Sequence, residues 1–205
     1  FNNYGSEDIR YWNTSIVTNM NSMFFVAKAF NQNIGSWDTS KVTNIRAMFM
    51  YATAFNNGGS SDIGNWNTAT FTNMLGMFQG AANFNQNIGS WNTALVTNMT
   101  GMFDGATAFN NNGSSDIGNW NTAKVTSTYG MFRNAANFNQ NIGSWNTALF
   151  IDMTYMFQGA SIFNQNLSGW NVAHTAARPF IARTDFATGS PLALAENSAK
   201  LPLFQ

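Results

Sequence analysis

Apolar residues recur along this chain at fixed distances from seven tryptophans, at 12, 37, 66, 91, 120, 145 and 170. Ile or Leu stands three residues before each one: Ile9, Ile34, Ile63, Ile88, Ile117, Ile142 and Leu167. Thr follows two residues after, with Val172 in the last unit. The resulting I-x-x-W-x-T pattern alternates as a short strand does and has the L-x-x-L-x-L spacing of a leucine-rich repeat. Beyond it the period changes. In the Trp37 unit Val42, Ile45, Met48, Phe49, Ala52 and Phe55 fall at steps of three and four, which predicts one face of a short helix. Thr43 and Asn44, or Thr97 and Asn98, stand where an N-cap belongs. Gly76, Gly80, Gly101 and Gly105 are costly inside a helix and argue for short ones or close packing.

The Trp spacings are 25, 29, 25, 29, 25 and 25, because "FNQNIGSW" is expanded to "FNNGGSSDIGNW" at 55–66 and "FNNNGSSDIGNW" at 109–120. A repeat of this size predicts units that bury their apolar sides only against neighbours. The expected fold is therefore an α/β repeat, a leucine-rich-repeat-like solenoid of about seven strand–short-helix units over 1–170. The segment 171–205 holds all three prolines and loses the spacing, so it is expected to be a C-terminal cap. Phe1 begins in phase with a unit and no cap precedes it, so a removed portion or something else is expected to cover that end. The Asn and Gln of "FNQN" are expected to bond to backbone or to their equivalents in the next unit.

Composition narrows the function classes. Charged residues are only 9%, and nine basic residues balance nine acidic ones. Such a chain carries no electrostatic footprint for nucleic acid or an anionic membrane. Its apolar runs are too short for a membrane span. Cysteine is absent, which excludes disulfides and thiolate metal sites.

The phrase W-[ND]-T-[SA]-x-V-T-N-M-x-x-M-F, at 37–49 (with Ile45) and 91–103, resembles the repeat of BspA-like leucine-rich-repeat surface proteins. The likeness extends over about 1–175. It implies a secreted or surface-attached protein with adhesion or protein-binding roles, and no shared catalytic residues. Thr128 in the Met column, and Ile151 and Asp152 at the cap positions, depart from the pattern.

Little catalytic chemistry is visible. His174 has no second His or Cys beside it, so no triad or metal site is expected. Asp8, Asp62 and Asp116 recur in the expanded loops, where a turn-forming role is expected over calcium binding. The Met column beside Phe24, Phe49 and Phe78 reads as core. No enzyme activity and no cofactor are expected. Sequons at Asn13, Asn98, Asn112 and Asn166 are candidate glycosylation acceptors, at a frequency chance would give.

Two surfaces could carry function. Asn13, Asp38, Asn67, Asn92, Asn121 and Asn146 follow each Trp and are expected on an outward strand face. That face could bind glycan, ice or another protein, or be merely solvated. On the other side, Phe25, Val26, Met50 and Tyr51 replace the polar and small residues of later units, and an apolar patch of this kind marks a contact surface. The expected function is a non-enzymatic extracellular or cell-surface protein for protein contact, adhesion or self-assembly, as a filament subunit if copies join head to tail. Its partner would be itself, laterally or end to end, or another surface protein.

Overall fold

The computed structural model describes residues 7–172 and 183–204. It overturns the expected α/β leucine-rich-repeat-like solenoid. Among the described residues there is no strand longer than a single bridge and no α-helix, only short 3₁₀ segments such as Ser61–Asn65 and Ser115–Asn119. The chain is instead a stack of rungs built from turns, one rung per Trp.

The spacing of three that suggested strand and helix comes from turn closure. In the first rung the Trp12 N–H donates to the Ile9 carbonyl, Val17 to Thr14, Met23 to Met20, Ala27 to Phe24 and Phe30 to Ala27. An inward-facing residue thus closes each turn onto the inward residue three before it. I-x-x-W is such a turn, not a strand. The expected helix is likewise replaced, because the tenth and fourteenth residues after each Trp from Trp12 to Trp145 lie in the left-handed region. Gly101 has φ 58 and Gly105 φ 70, while Ala47 (φ 52) and Tyr51 (φ 59) adopt the same conformation without being glycine. A left-handed residue every fourth position ends any right-handed helix before it can propagate.

Around the Phe of each rung, the N–H groups on alternate residues reach the next rung. Those of Phe24, Phe49, Phe78, Phe103 and Phe132 donate to the carbonyls of Met48, Met77, Met102, Met131 and Met156. Ser22 likewise donates to Arg46, and Val26 to Met50. Along this segment donors on alternate residues face the C-terminal end, whereas Thr43, Ala54, Thr97 and Ala108 donate back to the preceding rung. The expected N-cap column is where parallel pairing does occur: Asn19, Asn44, Asn73, Asn98, Ser127 and Asp152 form a chain of single-residue parallel bridges.

The core is a double ladder of phenylalanines. Phe24, Phe49, Phe78, Phe103, Phe132 and Phe157 stack between rungs with centroids 5.5–5.7 Å apart. Phe30, Phe55, Phe84, Phe109, Phe138 and Phe163 do the same at 5.7–5.9 Å. Burying each ring stabilises by about 1.5–3 kcal/mol, and a well-placed aromatic pair adds about 0.5–1.5 kcal/mol. The tryptophans line the same core. Trp12 stacks on Trp37, Trp66 on Trp91, and Trp120 on Trp145. Each indole N–H from Trp37 onward donates back to the Ile carbonyl of the preceding rung, as Trp91 does to Ile63 at 3.1 Å.

Stacking in register also accounts for the scarcity of charge. Equivalent residues of adjacent rungs lie about 5 Å apart, where like charges repel and amides pair. The Asn of "FN" shows this. Asn31 Oδ1 accepts from the Asn56 N–H, Asn56 from Asn85, Asn85 from Asn110, Asn110 from Asn139 and Asn139 from Asn164. The Lys200 ammonium then donates to Asn164 Oδ1. Beyond Trp170, Thr184, Phe186 and Thr188 accept from Tyr155, Phe157 and Gly159, so 184–189 continues the ladder.

Candidate contact surface

Phe25, Val26, Met50 and Tyr51 come together on one side of the first two full rungs. Each belongs to the thirteenth or fourteenth position after Trp, just beyond the buried Phe ladder. Phe25 is 50% exposed, Val26 43% and Tyr51 44%, and the Phe25 and Tyr51 rings meet edge to face at 6.2 Å. Half-exposed Met23 adjoins them in sequence. Glycines in the next rung make this arrangement fit. A Cβ on Gly76 would collide with Met50 Cε, and one on Gly80 would meet the Tyr51 ring. The aromatic patch therefore rests on bare backbone, which holds Tyr51 down while leaving its other side to solvent.

Further along the same column the chemistry becomes polar. Arg133 makes a two-point contact with Asp104, Nε–H to Oδ1 at 2.9 Å and Nη2–H to Oδ2 at 2.6 Å, and Gln79 donates to Oδ2 at 3.1 Å. Asp104 is buried under these partners. The apolar patch is thus confined to one end of the column.

Asn13, Asp38, Asn67, Asn92, Asn121 and Asn146 are all exposed, but they stand on turns rather than the strand expected there. Each Oδ1 accepts the N–H two residues on, as Asn92 does from Ala94 at 3.0 Å. Behind them a buried Thr donates to the next rung's carbonyl, as Thr93 does to Asn121. Of the sequon asparagines, Asn13, Asn112 and Asn166 are exposed, whereas Asn98 is half-buried on the bridge column. His174 lies outside the described residues.

In the expanded loops, Asp62 accepts from Asn33 and Asn57, and Asp116 from Asn87 and Asn111. Partial burial raises each carboxyl's pKa, but the donors outweigh it: Asn33, Ser60 and Asn57 for Asp62, and Ser114, Asn87 and Asn111 for Asp116. Both end below the usual range. Sequence reasoning missed the amide partners, although "FNQN" and "SSDIGN" recur together. It also left the departures open. Thr128 is buried and donates to the Asp152 carbonyl, while Asp152 Oδ1 accepts from Thr154 as the asparagines of its column do.

Among the described residues no three His, Cys, Asp or Glu side chains cluster to hold a metal. No helix there is long and apolar enough to cross a membrane. No curated protein and no solved structure matches the chain. A family match covers residues 1–61, 60–116 and 112–186 in tandem, the first two holding two Trp units each and the third holding three. The chain belongs to the repeat family described as "Mycoplasma protein of unknown function, DUF285".

Proposed function

We propose that this chain is a non-enzymatic extracellular or cell-surface protein that works by contact, in adhesion or self-assembly. The observation that carries this reading is the exposed aromatic pair Phe25–Tyr51 seated on Gly80. A preorganised apolar patch, on a column that is polar or glycine further along, is what a partner can desolvate at low cost. The motif likeness to BspA-like surface proteins supports the location. The acidic groups with lowered pKa support the non-enzymatic reading, since they are engaged in holding loops. Tyr51→Asp should abolish association with self or partner, measured by light scattering and by binding to cells of the source, while circular dichroism stays unchanged. Undiminished association would refute it.

A second reading rests on the row Asn13–Asn146. Because each Oδ1 is held by its own turn, the Nδ2 groups of Asn67, Asn92, Asn121 and Asn146 are left as a row of donors suited to a glycan or to ice, with the Asp38 carboxylate separating them from Asn13. Asn67→Trp with Asn92→Trp should remove that binding, and a clean glycan array with normal ice growth by the native chain dismisses it.

A further inference from the structure

The cores of the rungs are interchangeable. Phe49, Phe78 and Phe103 stack alike, and so do Phe55, Phe84 and Phe109, so core packing alone would let a rung pair with the next but one. The column four residues before each Trp does differ between rungs. It reads Asp8, Asn33, Asp62, Asn87, Asp116, Asn141 and Asn166, with Asp in every long unit and Asn in every short one. Asp62 and Asp116 are each fitted to the short rung before them. Asn33 Nδ2 donates to Asp62 Oδ2, and Asn87 Nδ2 to Asp116 Oδ2, both at 3.1 Å. Fully buried Asn57 and Asn111 tie the same rungs together. Their Oδ1 atoms accept the Ile34 and Ile88 N–H groups, and their Nδ2 groups donate to Asp62 and Asp116. Bare backbone completes the fit, since a Cβ on Gly35 would collide with Asp62 and one on Gly89 with Asp116. Two short rungs meet only at Trp145 and Trp170, and there the buried Ile142 N–H finds no acceptor among the described residues.

We propose that this alternation locks the order of the rungs, so that the short–long pair rather than the single unit is the element of the array. Near-identical units need a feature that penalises every pairing but one. A skipped short rung would set Asp62 against Asp116, two carboxylates about 5 Å apart with no donor between them. A skipped long rung would set Asn33 on Asn87 and leave the Ile34 N–H unpaired in the core. Whole pairs escape both penalties, because Asn33 would then meet Asp116 with its full set of partners.

The lock goes beyond the contact reading and stands or falls without it. The segments stacked on 84–91, which are 55–66 and 109–120, hold no charge besides Asp62 and Asp116. Asn87→Asp, Asn141→Asp and Asn166→Asp are therefore nearly isosteric changes with two, one and no carboxylate in the adjoining rungs, Lys200 lying beyond Asn166. In urea at neutral pH, Asn87→Asp should lower the folding equilibrium constant at least about tenfold more than Asn166→Asp, with Asn141→Asp between them. The gap should close as pH falls towards about 4, where the added carboxyl takes up its proton. Array growth gives a second measurement. Another copy of 63–116 inserted after Asp116 should raise the melting temperature, since the added pair extends the stack. Another copy of 88–116 alone, which sets Asp116 on its own duplicate, should lower it. Equal stability of the three point variants, a gap that ignores pH, or an equal gain from the long unit alone and from the pair would overturn the lock.

Discussion

Gly101→Ala separates the turn-built rung from the helical one by sign. Gly101 has φ 58, and a Cβ there would find its nearest atom, Gln79 Oε1, at 3.7 Å, an ordinary contact. Sterics with neighbours therefore contribute nothing, and the backbone decides. Holding an L-residue in the left-handed region costs about 1–2 kcal/mol, offset by about 0.4–1 kcal/mol from the less flexible unfolded chain. The expected result is a net loss of up to about 1.6 kcal/mol. Were this segment an amphipathic helix, the same change would stabilise by about 1 kcal/mol. Urea unfolding followed through the buried tryptophans gives the answer, provided the slope m is unchanged. The converse change tests the same column at an exposed position: Ser22→Gly (φ 56) should raise stability. A Gly101→Ala protein more stable than the parent would refute the left-handed turn and with it the rung geometry described above.

Phe103→Ala removes a fully buried ring stacked on Phe78, Phe109 and Phe132, and should cost about 3–5 kcal/mol in the same assay. Phe25→Ala, exposed and touching Tyr51, should cost under about 1 kcal/mol, so equal losses would contradict the assigned faces. Acid should weaken the fold through Asp62 and Asp116. Their folded pKa values lie below the ordinary 3.8, so the stability they contribute is present at neutral pH and is lost as pH falls below about 4 through the depressed values. A melting-temperature profile between neutral and acid pH should therefore flatten in Asp62→Asn/Asp116→Asn, and an unchanged profile would contradict the loop assignment. Thr93→Val, which deletes the hydroxyl bond to Asn121, should cost about 1 kcal/mol by urea unfolding.

Which residues are buried was legible in the spacing itself. Ile88, Trp91, Val96, Met102, Phe103 and Phe109 recur at fixed distances, and all six are core. The "FNQN" ladder was legible for a similar reason: identical amides at identical positions of stacked units have each other, or the backbone beside them, as nearest partners. The exposed aromatic patch stood out because Phe25, Val26, Met50 and Tyr51 break columns that are polar or glycine in later units. The direction of the bonds between rungs was not legible, since spacing says nothing of where an N–H points.

The sequence by itself determined the long-and-short unit, the columns that face inward and the places where a column changes character, because periodicity and side-chain type are local properties. Tertiary structure alone decided between strand, helix and turn. Steps of three and four arise equally from a helix face and from a run of closed turns, and the two differ only in where the N–H groups go. Here Phe24, Phe49 and Phe78 donate to the next rung rather than four residues back, and the left-handed residues beside them, from Ala47 to Gly105, are stable only because a neighbouring rung accepts those bonds.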